Sequence, residues 1–130
     1  MTDIKRVLVV EDEALIGLQL KAALEDVGYT VIGPVGSLDA AWRAGDAELF
    51  DAAVLDVNLN GTSVFPFAEH LVRERVPTVL LTGYDLPELP PGAAHIPVLR
   101  KPLDVHVLDI ILRRLGREAP RPPEPARVDA

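Results

Sequence analysis

Residues 6–13 read Arg6-Val7-Leu8-Val9-Val10-Glu11-Asp12-Glu13, an apolar run broken abruptly by three acids. A run this short and this continuously apolar suits a strand covered on both faces, as in a parallel sheet. The acids mark where the chain leaves the sheet. Four more runs of the same kind follow, at Thr30–Val35, Ala52–Val57, Thr78–Thr82 and Ile96–Leu99.

Between the runs the apolar spacing changes to that of helices. Ile16, Leu20, Ala23 and Val27 form one stripe that ends at Gly28, a residue suited to a helix stop. Ser37 is a candidate N-cap for a second helix through Ala41 and Trp42. Thr62 or Ser63 would open a third helix, carrying Phe67, Leu71 and Val72. Val105, Leu108, Ile111, Leu112 and Leu115 outline the last one. Five βα units in succession predict an α/β fold, a doubly wound five-stranded parallel sheet of flavodoxin-like order 2-1-3-4-5.

Two segments depart from this rhythm. Pro87, Pro90, Pro91 and Gly92 lie where a fourth helix belongs, so that helix should be short or irregular. Beyond Gly116, Pro120, Pro122, Pro123 and Pro125 read as a disordered Pro-rich tail over 117–130, leaving 1–116 as the folded domain.

The chain of 130 residues is 48 % hydrophobic and 25 % charged, the balance of a globular protein. It has no cysteine, which removes thiolate chemistry and fits a cytoplasmic setting. Its net charge of −7 opposes contact with nucleic acid or anionic membrane. No run is long enough for a membrane span or a signal-peptide core.

The chemistry gathers at the carboxyl ends of the strands. Strand one ends in Glu11 and Asp12, strand three in Asp56 and strand four in Thr82, while strand five leads into Lys101. In the order 2-1-3-4-5, strands one and three flank the topological switch point, where such folds bind ligands. The three carboxylates should therefore share one pocket. At ~4 Å and an effective dielectric of ~20, each close pair costs roughly 4 kcal/mol. A hard divalent cation relieves that cost, and Mg²⁺ suits an all-oxygen site that keeps room for waters and a phosphoryl oxygen. A carboxylate beside it can act as a nucleophile toward phosphorus. The Lys101 ammonium and Thr82 hydroxyl can neutralise the transferred oxygens.

The blocks Val9-Val10-Glu11-Asp12-Glu13, Leu55-Asp56-Val57-Asn58, Leu81-Thr82-Gly83 and Lys101-Pro102 resemble the receiver domain of two-component response regulators, over residues 4 to 116. The resemblance implies a single-domain response regulator in a phosphorelay, a switch protein rather than a turnover enzyme. Asp56 would be the phosphoacceptor. Glu11, Asp12, Asp56 and the Asn58 backbone carbonyl would hold Mg²⁺, with Thr82 and Lys101 on the phosphoryl group. Its partners would be a sensor histidine kinase or histidine phosphotransfer protein and an unknown downstream target. The resemblance also implies a cis Lys101–Pro102 bond.

The usual aromatic switch position holds Val98. Thr82-Gly83-Tyr84 is similar to the ending of a single-domain subgroup with a Phe-Ala-Thr-Gly signature, which makes Tyr84, with Thr82, a switch candidate. Three rivals share parts of this pattern. A pseudo-receiver adaptor would keep the fold without phosphorylation. A haloacid-dehalogenase-type phosphatase would need a second Asp where Asn58 stands. A nucleotide- or flavin-binding domain of the same topology would want a glycine- or hydroxyl-rich loop after strand one, not an anionic one.

Taken singly, each residue has an ordinary reading. Glu11 and Asp12 can serve a helix dipole, Asp56 a turn, Thr82 a strand and Lys101 a solvated loop. His70, His95 and His106 show no ligand spacing, and Trp42 reads as a packing residue.

Overall fold

The computed structural model describes residues 4–47, 49–83 and 88–118. Its main strands are β1 (Arg6–Val10), β2 (Thr30–Val35), β3 (Ala52–Asp56), β6 (Thr78–Thr82) and β7 (Val98–Arg100). They form one parallel sheet in the order β2-β1-β3-β6-β7, the expected 2-1-3-4-5 with the main strands counted in turn. A small antiparallel hairpin, β4 (Asn58–Leu59) and β5 (Thr62–Ser63), leaves the end of β3. Four α-helices complete the described structure: α1 (Ala14–Asp26), α2 (Leu38–Ala47), α3 (Phe65–Arg73) and α4 (Val105–Glu118). Where a further helix would stand, Pro91–Ala93 makes a single 3-10 turn. Pro90, Pro91 and Gly92 allow little more.

The central strands are apolar on both faces because both faces are covered. Leu8, Val10, Ala53 and Leu55 point toward α2 and α3, into a core around Phe67. Val7, Val9, Ala52 and Val54 point the other way, toward Leu20 and Leu24 of α1 and Leu108 and Leu112 of α4. Period-2 alternation would have left one face wet. Phe67 is fully buried and meets Trp42 edge-to-face, with ring centroids 4.9 Å apart. Trp42 also lies against His70, a packing role for both. Phe67→Ala is expected to cost about 3–5 kcal/mol, read as a shift in the urea midpoint. A cost below ~1 kcal/mol would mean that this core is not the one described.

Two local expectations need correction. The third helix begins at Phe65, not at Thr62 or Ser63, which belong to β5. Asn60 and Gly61 both have positive φ (52° and 83°), the signature of a two-residue type I′ hairpin turn. That turn captures the next two residues as a strand, and the Ser63 hydroxyl accepts from Phe65 N–H at 3.2 Å. The buried face of α1 also sits one position away from the expected stripe. Its centre is Gly17, Leu20 and Leu24, with Ile16, Ala23 and Val27 half-buried beside it. Gly17 is the reason, since a Cβ there would stand 2.9 Å from Pro34 of β2.

Ser37 caps α2 as expected, its Oγ accepting from Ala40 N–H at 3.1 Å. The β1–β2 register slips by one residue between Leu8 and Val10, where the chain passes Gly33 (φ +99°). Lys101–Pro102 is cis, as the resemblance implies, and Gly33–Pro34 is cis as well.

One polar contact ties the residue before β2 to α4. The buried Tyr29 hydroxyl donates to Asp109 Oδ1 at 2.5 Å, and Arg113 Nε donates to the same oxygen at 3.0 Å. Burial, then the Asp109 carboxylate, pushes the Tyr29 phenol up from 10.0 to about 12. Burial would raise Asp109, but its hydrogen bonds from Tyr29 and Arg113 and nearby positive charge hold it below its ordinary value. A raised phenol contributes stability that is complete below pH 10 and lost as pH climbs through about 12. The lowered carboxylate contributes above its ordinary range, and that part is lost in acid. Tyr29→Phe should therefore cost about 1–2 kcal/mol at pH 7 and flatten the alkaline limb of the pH–stability curve. An unchanged alkaline limb would contradict this assignment.

Candidate functional site

Parallel strands all end at the same edge of the sheet, so residues far apart in the chain meet there. Glu11 follows β1 directly, Asp56 ends β3, Thr82 ends β6 and Lys101 follows β7. The backbone fixes these ends to one another. Glu11 N–H donates to Val35 O at 2.9 Å, Val57 N–H to Leu81 O at 2.9 Å and Lys101 N–H to Thr82 O at 2.8 Å.

A carboxylate oxygen of each of Glu11, Asp12 and Asp56 lies within 4.8 Å of the others. The Lys101 ammonium stands between two of them, 2.7 Å from Glu11 Oε1 and 3.1 Å from Asp56 Oδ2. Glu11 is 2 % exposed, Asp56 6 % and Thr82 8 %, whereas Asp12 is half-buried. Asp56 Oδ1 accepts from Asn58 N–H at 3.2 Å. The expected acidic cup is thus formed, with its lysine on one side.

The two adjacent acids of strand one have different surroundings. Glu11 turns inward to Lys101, and its Oε2 is buried with no hydrogen-bond partner. Asp12 turns toward the hairpin, where its Oδ2 accepts from Asn60 N–H at 2.8 Å. Asn58 Oδ1 in turn accepts from Gly61 N–H at 2.7 Å, closing the hairpin on itself. The Asn60-Gly61 pair is the strongest kind of short signal for such a turn, but nothing local says that Asp12 is what the turn faces.

Burial, reinforced by hydrogen bonding and charge from Asp56, pushes Glu11 up from 4.5 to about 7 against the pull of Lys101. Burial alone would lower the Lys101 ammonium, but its hydrogen bonds to Glu11 and Asp56, with their charges, outweigh this and hold it above its ordinary value. At neutral pH the cup holds more negative charge than one lysine can balance.

The donor set fits Mg²⁺. It offers only hard oxygens, and the buried, unpartnered Glu11 Oε2 is an acceptor in want of a positive partner. Tyr84 lies outside the described residues, as does the chain from 119 onward. Val98 is half-buried in β7 and packs against the α2/α3 core. No helix among the described residues is long and apolar enough to cross a membrane.

Comparison with known proteins agrees with this geometry. The family model for the response regulator receiver domain matches residues 7–113. The transcriptional regulatory protein TcrA of Mycobacterium tuberculosis is 37 % identical over 127 residues, which are 92 % of this chain and 49 % of TcrA. The chain spans about half the length of the curated relatives it matches. The solution structure of SdrG from Sphingomonas melonis Fr1 superposes with a TM-score of 0.76 at 34 % identity, covering 88 % of this chain and 98 % of SdrG. A response regulator from Burkholderia pseudomallei, solved with a phosphorylated aspartic acid, a calcium ion and citrate, has a TM-score of 0.75 at 25 % identity. That match covers 88 % of this chain and 69 % of the Burkholderia chain. With its sheet order, its acidic cup and a family match across residues 7–113, this chain belongs to the response regulator receiver domain family.

Proposed function

We propose that this receiver domain is a phosphorylation switch in which Asp56 accepts a phosphoryl group from a phosphohistidine partner, a sensor histidine kinase or a histidine phosphotransfer protein, with Mg²⁺. The observation that carries this reading is the Lys101 ammonium held between Glu11 and Asp56, beside a third carboxylate. Asp56 forms the new P–O bond as the donor's P–N bond breaks, and the electron pair leaves with the imidazole nitrogen. Glu11, Asp12, Asp56 and the Asn58 carbonyl are the residues that would hold the metal. When bound, Mg²⁺ supplies charge neutralisation for the cup and for phosphoryl oxygens. Lys101 and the Thr82 hydroxyl take the remaining phosphoryl oxygens, and their engagement signals the phosphorylated state. The phosphorylated aspartic acid in the Burkholderia relative supports the same chemistry here. The domain acts as a switch read by a downstream protein, with Tyr84 and Thr82 as candidate signalling residues.

The test is incubation with acetyl phosphate and Mg²⁺ followed by intact-mass measurement. One added phosphoryl group is expected, and it should fail to form when Mg²⁺ is chelated before acetyl phosphate is added. Absence of any adduct would favour an adaptor that keeps the fold without the chemistry, and sustained phosphomonoester turnover would favour a phosphatase.

A proton and a cation compete for Glu11. With its carboxyl raised to about 7, this group contributes stability at pH below 4.5 that is lost as pH rises through about 7. Without metal, the cup should therefore become less favourable between pH 5 and 8. Mg²⁺ affinity should rise over that interval, with proton release at pH 6 and almost none at pH 8. Calorimetric titration in buffers of different ionisation enthalpy measures this directly, and a pH-independent affinity would remove Glu11 from the metal's ligands.

A further inference from the structure

Six large hydrophobic side chains stand exposed among the described residues, and four of them lie on α1 and α4. They are Leu15 and Leu18 (69 % and 56 % exposed) and Val107 and Ile110 (43 % and 58 %). The two helices pack side by side on one face of the sheet through Leu20, Leu24, Leu108 and Leu112. Between them runs a cavity of about 470 Å³ lined by Ile16, Ala23, Leu103 and Val105 among others. Isolated exposed leucines need no explanation, but apolar residues gathered on adjacent helices do.

The charges on these helices follow the same spacing as the apolar residues. On α1, Leu15, Leu18, Ala22 and Glu25 fall at i, i+3, i+7 and i+10, one stripe of an α-helix, with Asp26 beside it. On α4, Val107, Ile110, Arg114 and Arg117 fall at the same intervals. All of these residues are exposed, and both stripes point away from the sheet. Each is apolar in its first half and charged in its second, acidic on α1 and basic on α4. None of Glu25, Asp26, Arg114 or Arg117 has an ion-pair partner among the described residues. Arg113 is different, being engaged by Asp109.

We infer that α1 and α4 form the interface of a two-fold symmetric dimer of this chain, in which α1 of each copy lies along α4 of the other. Each helix follows a strand of the same parallel sheet, so both start at the same edge and run in the same direction. A two-fold axis parallel to the helices, in the plane of contact, keeps that direction while exchanging their places. Leu15 and Leu18 of one copy then meet Val107 and Ile110 of the other, and Glu25 and Asp26 meet Arg114 and Arg117. An axis across the helices would lay each helix antiparallel on its own copy, setting Leu15 and Leu18 on acids and Val107 and Ile110 on arginines. A two-fold interface must be complementary to itself, and the matched stripes meet that condition without a second protein. For a chain of net charge −7, which repels its own copies at long range, the arginines of α4 supply the local attraction.

Sedimentation velocity and light scattering on the full chain test this independently of phosphorylation. The unaltered chain should dimerise reversibly and more weakly at high salt. Ile110→Glu should raise the dissociation constant by at least about tenfold with an unchanged thermal midpoint, since that side chain is exposed. The double variants Glu25→Arg/Asp26→Arg and Arg114→Glu/Arg117→Glu should each be monomeric alone and form a heterodimer when mixed, because mixing restores both contacts. A chain that is monomeric at every concentration overturns the inference, and so does a dimer indifferent to these substitutions. If the chain stays monomeric while Ile110→Glu blocks phosphoryl transfer from a phosphohistidine donor, the face belongs to the donor and the dimer is excluded.

Discussion

Asp56→Asn is expected to abolish phosphoryl uptake altogether, leaving the intact mass unchanged after acetyl phosphate and Mg²⁺. The substitution keeps the shape of the side chain and removes its nucleophilic charge. Asp56 sits at the end of β3, 6 % exposed, with Oδ2 on Lys101 and Oδ1 on Asn58 N–H. The asparagine can keep one hydrogen bond from Lys101, so the fold should survive. Three carboxylates crowd within 4.8 Å, where each uncompensated pair costs roughly 3–4 kcal/mol at an effective dielectric of ~20. Removing one charge should leave the metal-free protein as stable as before or about 1 kcal/mol more so. The stabilisation gained on adding Mg²⁺ should shrink. An adduct that persists on Asp56→Asn would place the acceptor elsewhere and end the proposal.

Lys101→Met should destabilise the metal-free fold in a way that depends on pH. The ammonium neutralises Glu11 at 2.7 Å and Asp56 at 3.1 Å. Its loss strands buried carboxylates beside one another, at a cost of about 3 kcal/mol. The direction with pH is fixed by Glu11. At pH 5 that carboxyl is protonated, because its value lies near 7, and the loss of lysine is partly relieved. At pH 8 Glu11 of the unaltered protein is largely ionised against Lys101, so losing the lysine removes more there, the damage should be greater, and Mg²⁺ should repair much of it. Urea unfolding at the two pH values, with and without Mg²⁺, reads all of this. Equal losses at pH 5 and 8 would refute the electrostatic account. Phosphoryl uptake should slow by at least ~100-fold, because one phosphoryl oxygen loses its fixed positive partner.

Much of this protein can be read along the chain. Val7–Val10 and Ala52–Leu55 are apolar at every position, which is meaningful only for strands covered on both faces, and α1, α2, α3 and α4 supply that cover. Parallel strands end at one edge, so acids at the ends of β1 and β3, a threonine at β6 and a lysine after β7 had to be neighbours. The prolines before Ile96 likewise announced the missing helix.

Tertiary packing decided which of two adjacent acids does what. Nothing in Glu11-Asp12 as a dipeptide says that the first takes the lysine and goes under cover while the second faces a hairpin turn. That division rests on contacts between residues 90 and 48 positions apart. The type I′ turn at Asn60-Gly61 presents the N–H that Asp12 accepts, and the chain leaving β7 presents the lysine that Glu11 takes. Local pattern encodes which face of a strand or helix is apolar, because burial repeats with the backbone period. The partner of a given carboxylate depends on where distant backbone segments come to rest, and only the folded chain places them.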